Sequence, residues 1–94
     1  MEIILDFKEI HDKMELHQYL KKKFGFPDYY GMNLDALYDC LTQNQEKKYV
    51  NVYHFAQLRE QLGDYADVLL QVMQDADVIK NVYEGDKYLS FRKL

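Results

Sequence analysis

The run PDYYGMNLDALYDCLT, residues 27 to 42, places carboxylates where they could meet positive charge. From Phe24 to Glu46 there is no Lys, Arg or His, while Asp28, Asp35, Asp39 and Glu46 all lie inside that window. Asp35 and Asp39 stand four residues apart in a segment that reads as helix, so they share a face. Like charges at that spacing destabilise an isolated helix by roughly 0.2–0.5 kcal/mol, and no lysine at i±4 relieves either one. Tyr29, Tyr30 and Tyr38 cluster around them, and Gly31 in the flanking loop can let a partner's backbone approach closely. A solvated helix face is the plain alternative. The missing bases and the tyrosines favour a binding face for a basic protein, since interfaces favour such aromatics and complementary charge speeds encounter.

Other chemistry is poorly supplied. Paired carboxylates suit general acid–base work, but that needs a pocket and usually a His or Lys partner. His11, His17 and His54 lie on other elements, and His17 sits beside Leu16 on an amphipathic helix, where packing explains it. Asp35 and Asp39 do not form a calcium loop, no His/Cys spacing suits zinc, and there is no phosphate-cradling glycine motif or serine nucleophile signature. No cofactor, metal site or catalytic residue is expected, and the chain does not read as an enzyme. Cys40, the single cysteine, cannot form an internal disulfide and reads as a half-buried structural thiol in a reducing cytoplasm.

These residues need a scaffold. Glu2 to Phe7 reads as a strand whose Ile3, Ile4, Leu5 and Phe7 form a run of the kind buried on both faces. Asp12 with Glu15 forms a capping-box pattern, opening a helix with Leu16, Leu20 and Phe24 at helical spacing. Lys21 to Lys23 complement its C-terminal dipole, and Gly25 stops it. Asn33 caps a second helix from Leu34 to about Gln43, with Leu34, Leu37 and Leu41 on the core side. Asp35, Asp39 and Thr42 form the neighbouring stripe, and Tyr38 falls between the two.

A polar connection over 43–48 leads to a strand, Tyr49 to Tyr53, and then a short helix from Phe55 to Leu62 ending at Gly63. Asp64 caps a longer helix running to about Lys80, with Ala66, Leu69, Leu70, Met73 and Ala76 on its core stripe. Between Arg59 and Lys80 there is again no base, while Asp64, Asp67, Asp75 and Asp77 fall inside. A turn at Glu84 to Asp86 leads into a final strand, Tyr88 to Phe91. The order β-α-α-β-α-α-β predicts an α/β fold with a three-stranded parallel sheet packed by about four helices.

Composition agrees. Ninety-four residues, 48% hydrophobic and 30% charged, suit one domain spanning 1–94. The net charge of −4, from 12 basic and 16 acidic side chains, disfavours nucleic acid or an anionic membrane as partner. Residues 1–7 have no basic region followed by a signal-length apolar stretch, and no window approaches a membrane span. The expected location is the cytoplasm.

PDYYGMNLDALYDCLT resembles the signature segment of the barstar family, intracellular inhibitors of barnase-type ribonucleases. LHQYLKKKFGFP upstream and VLLQVMQDA downstream are similar to that family's first and last helices, so the resemblance covers most of residues 1–79. It implies a three-stranded parallel sheet packed by helices, with a binding surface on the second helix and the loop before it. It also implies that Asp39 enters the nuclease active site in place of a substrate phosphate, meeting arginines and a catalytic histidine. Tyr29 would pack over that histidine, and Asp35 would pair with a base at the guanine-binding end. Asp75 stands where the family has another acid, and Gly31, Asn33, Tyr38 and Thr42 would line the contact. The expected protein is an immunity protein, monomeric when free and 1:1 with a basic, extracellular-type ribonuclease. An acidic adaptor for a basic non-nuclease protein is the alternative.

Overall fold

The computed structural model describes residues 1–43, 47–84 and 87–89. Strand β1 (Glu2–Asp6) has a strict two-residue alternation: Ile3 and Leu5 are buried while Glu2, Ile4 and Asp6 face outward. Helix α1 (Lys13–Phe24) begins at Asp12, whose carboxylate accepts the Glu15 N–H at 2.8 Å, and ends at Gly25 with φ 70°. Helix α2 is Leu34–Gln43, β2 is Tyr49–Tyr53, and α3 is Phe55–Leu62. Helix α4 (Asp64–Asp75), β3 (Ile79–Glu84) and β4 (Lys87–Leu89) complete the described elements.

The sheet order is β1-β2-β3-β4, with the first three strands parallel and β4 antiparallel to β3. Each parallel crossover steps one strand in the same direction. Right-handed crossovers of that kind put both helix pairs on one face. The core therefore lies between the sheet and a single helical layer. Leu5, Val52 and Val82 stand in register on the inner face, against Leu16, Leu20, Leu37, Leu58, Leu69 and Met73. Among the described residues no helix covers the opposite face, which overturns the reading of β1 as buried on both sides: Ile4 is 56% exposed.

The three parallel strands and four helices are those expected, but the third strand is elsewhere. Helix α4 stops at Asp75 rather than near Lys80, because Asp77 adopts φ 59° and breaks the helical path. Short polar side chains tolerate this left-handed geometry better than branched ones. Ile79–Glu84 then pairs with β2, and the segment expected to close the parallel sheet supplies the antiparallel β4 instead. Phe91, Gly85 and Asp86 of the expected turn and strand, and residues 44–46 of the polar connection, lie outside the described residues. Asp64 is the first residue of α4; Gly63 caps that helix without a side-chain bond.

Candidate functional site

The loop between α1 and α2 is built from the inside. Phe24 and Phe26 stack with ring centres 5.1 Å apart, and Tyr30 packs against Phe26 at 4.9 Å. The Tyr30 N–H closes a turn onto the Pro27 carbonyl at 3.0 Å. Asn33 then does two jobs. Its Oδ1 accepts the Ala36 N–H at 2.8 Å as the helix cap, and its Nδ2 donates to the Gly31 carbonyl at 3.0 Å. A Cβ added at Gly31 would lie 3.2 Å from the Ala36 Cβ, a tight contact that asks the neighbour to give slightly.

Beneath this loop lies a buried polar chain that the spacing of apolar residues did not announce. His17 is 1% exposed, with Nδ1 2.7 Å from the Tyr30 hydroxyl and Nε2 2.6 Å from the Tyr65 hydroxyl. The Tyr30 oxygen also reaches the Asn33 carbonyl at 3.5 Å. One arrangement satisfies every group: Tyr65 donates to Nε2, Nδ1–H donates to Tyr30, and Tyr30 donates onward to Asn33. The tautomer is assigned from these partners. Burial lowers the His17 pKa from its ordinary 6.5 and raises those of both tyrosines, so the neutral forms persist. The network ties α1, the loop and α4 together under α2. Its only sequence signal is a histidine beside the core stripe of α1.

On the outer surface the carboxylates differ in their company. Asp28 has Lys21 Nζ at 3.5 Å, Asp67 has Arg59 Nε at 3.3 Å, and Asp77 has Lys47 Nζ at 3.2 Å. Bases from outside the two base-free windows thus reach back to these acids. Asp75 accepts a bond from Gln71 Nε2 at 2.9 Å. Asp64 lies in the first turn of α4, where the helix dipole favours it. Asp35 and Asp39 are exposed, with no ion pair and no side-chain hydrogen bond among the described residues. Asp39 also bears on its neighbour: burial first, then the Asp39 charge, raises the Cys40 thiol pKa.

The aromatics divide cleanly. Tyr29 is 84% exposed and Tyr30 is 5% exposed, so one faces solvent and the other anchors the loop. Tyr38 is 41% exposed at the edge of the acidic stripe. Thr42 Oγ1 donates to the Tyr38 carbonyl at 2.8 Å, which turns its hydroxyl toward its own helix. Thus Tyr29, Gly31, Asn33, Asp35, Tyr38, Asp39 and Thr42 occupy one loop and the helix it leads into. Asp75 belongs to α4, which packs against α2. Among the described residues no three His, Cys, Asp or Glu side chains gather as metal ligands, and no helix is long and apolar enough to cross a membrane.

The surface that results is an acidic helix with exposed tyrosines, led into by a loop that a buried hydrogen-bonded network anchors. It can accept charge-assisted hydrogen bonds from guanidinium or ammonium groups, which are stronger than neutral ones. The family described as Barstar (barnase inhibitor) matches over residues 1–88. A protein of Bacillus subtilis (strain 168) named "Putative ribonuclease inhibitor YrdF" is 45% identical over 75 residues, covering 79% of this chain and 82% of that protein. On the extent of the family match and the degree of identity, this chain belongs to the barstar family.

Proposed function

We propose that this protein is an intracellular inhibitor of a barnase-type ribonuclease, an immunity protein that blocks the nuclease active site with the acidic face of α2. The observation that carries this reading is the pair Asp35 and Asp39: exposed, four residues apart and unpaired among the described residues, on a member of a family described as barnase inhibitors. Asp39 takes the place of a substrate phosphate. A carboxylate presents two oxygens in a plane, and an arginine fork that holds phosphate can hold it bidentately.

Asp35 pairs with a base at the guanine-binding end, and Tyr29 covers the catalytic histidine of the nuclease. Gly31, Asn33, Tyr38 and Thr42 line the contact, and Asp75 adds a further acid from α4. Nothing in this mechanism touches RNA or turns over a substrate. The free protein is a cytoplasmic monomer and the complex is 1:1 with a basic, extracellular-type nuclease. Opposite charge on the two faces speeds their encounter, an effect that weakens with salt.

The test is RNA cleavage by a barnase-type ribonuclease with equimolar protein, run beside Asp39→Ala. Wild type stops cleavage and the variant is far weaker. Failure of both to inhibit would turn the assignment toward a basic non-nuclease partner.

A further inference from the structure

Lys48 immediately precedes β2 and shares the strand's two-residue alternation. Lys48, Val50 and Val52 are buried, while Tyr49 between them faces outward. A lysine thus stands where the pattern calls for an apolar residue. It is 5% exposed, and its Nζ is closed to solvent with no hydrogen-bond partner among the described residues. A long stem normally lets the ammonium reach water, and this one does not. A buried lysine without a partner costs the fold stability, so folding alone gives no reason for it.

Lys48 also lines a pocket of about 230 Å³ at the edge of the proposed inhibitory face. Phe26 and Pro27 form part of its apolar wall, and Tyr29, Cys40 and Gln43 complete the rim on the α2 side. Lys48 is the one charged side chain among the lining residues. With a water occupying about 30 Å³ in the liquid, the pocket has ample room for one carboxylate side chain. Tyr29 belongs both to this pocket and to the proposed contact with the nuclease, and at 84% exposed it has room to move aside.

We propose that Lys48 turns its ammonium out of its closed position into this pocket, where it receives an Asp or Glu side chain of the partner nuclease. The inference rests on the nuclease-inhibitor reading and adds to it a contact of opposite sign. The acidic helix meets the partner's bases, and Lys48 meets one of its acids. Gln43 and the Tyr29 hydroxyl can donate to the same carboxylate, while the Cys40 thiol, its pKa raised by burial and by Asp39, adds no competing charge. A nuclease lacking an acid at that place leaves the lysine unpaired, so the pocket discriminates among nucleases that share the same basic active site.

Two measurements on the full chain test this. In the first, ¹⁵N-labelled protein is titrated with phenylacetate, with neutral phenylacetamide as control. The amides of Gly25, Phe26 and Gln43 shift saturably with the acid only, and Lys48→Met abolishes the response. In the second, dissociation from a barnase-type ribonuclease is compared for wild type, Lys48→Met and Lys8→Met. Lys48→Met leaves at least about tenfold faster, the equivalent of about 1.4 kcal/mol, whereas Lys8→Met, with the same change in net charge, does not. Thermal melting monitors folding, and Lys48→Met melts no lower than wild type. Absence of any Lys48-dependent response to phenylacetate overturns the site. A response to phenylacetate combined with an unchanged dissociation rate assigns the pocket to a free small acid and overturns the partner assignment. If wild type does not bind the nuclease at all, the nuclease reading and the partner assignment fall together, while the titration still decides whether Lys48 holds a carboxylate.

Discussion

Tyr29 and Tyr30 are adjacent in the chain and opposite in the fold: the first is 84% exposed, and the second is 5% exposed with its hydroxyl 2.7 Å from His17 Nδ1. Their substitutions should separate accordingly. Tyr29→Ala leaves stability within about 0.5 kcal/mol of wild type, as exposed sites generally do, and weakens nuclease binding. Tyr30→Ala destabilises by about 3–5 kcal/mol, the usual cost of truncating a buried aromatic. Denaturant unfolding beside a nuclease titration checks both. Equal destabilisation of the two variants would contradict the division.

Asp39→Ala should act in opposite directions on folding and binding. Removing one of two like charges at i,i+4 stabilises the free helix by roughly 0.2–0.5 kcal/mol. In the complex the loss should reach about 2–5 kcal/mol, a scale drawn from the barnase–barstar pair itself and not from this geometry. Calorimetric binding and chemical denaturation of the same preparation read the two effects. A folded variant that binds as tightly as wild type would remove Asp39 from the contact.

The buried histidine predicts a particular pH dependence. Burial holds the folded pKa of His17 below the ordinary 6.5, so below that pH the unfolded chain binds more protons than the folded one. Stability is therefore full above about pH 6.5 and declines as pH falls toward the folded value of His17. Glu2 adds a separate loss at lower pH: its carboxyl is held below 4.5, chiefly by the bond from Lys80. Melting curves between pH 5 and 7 isolate the first effect. His17→Gln flattens the slope in that window, and an unchanged slope would assign it to another group.

Tyr65→Phe removes the donor to His17 Nε2 while keeping the ring. An orphaned buried acceptor costs about 1–3 kcal/mol, and the loss is felt in the loop as well as in α4. Hydrogen exchange at Tyr30 and Ala36 should quicken together in this variant. Exchange that quickens only within α4 would show that the chain of hydroxyls does not couple the two.

Caps and stops were legible because each is a local bargain between neighbours in sequence. Asp12, Gly25, Asn33 and Gly63 bound α1, α2 and α3 where their chemistry requires. The end of α4 was not legible, since Ala76 and Ile79 continue an apolar spacing that only the left-handed Asp77 interrupts. The β-branched Val78, Ile79 and Val82 pointed to a strand there, but helical periodicity masked it. Burial of β1 on both faces was a misreading of a different kind. Ile4 is apolar and exposed, and only the handedness and order of the crossovers reveal that no helix covers it.

For the acidic face, sequence located the unpaired aspartates but could not distinguish them from their paired neighbours. Asp28, Asp67 and Asp77 looked equally bare until Lys21, Arg59 and Lys47 were found beside them. Pairing across elements is a property of the fold, invisible to a window along the chain. The same holds for Lys48, whose significance depends on the strand alternation and on the Phe26, Tyr29 and Cys40 side chains around it.

The one-sided helical layer gives the molecule a back as well as a front. Glu2, Ile4, Tyr49 and Asn51 stand on the side of the sheet that no described helix covers, away from α2, which presents Asp35 and Asp39. A tether or fluorophore attached through a cysteine at position 4 would therefore leave the acidic helix free to meet its target, so the protein can serve as an oriented capture reagent.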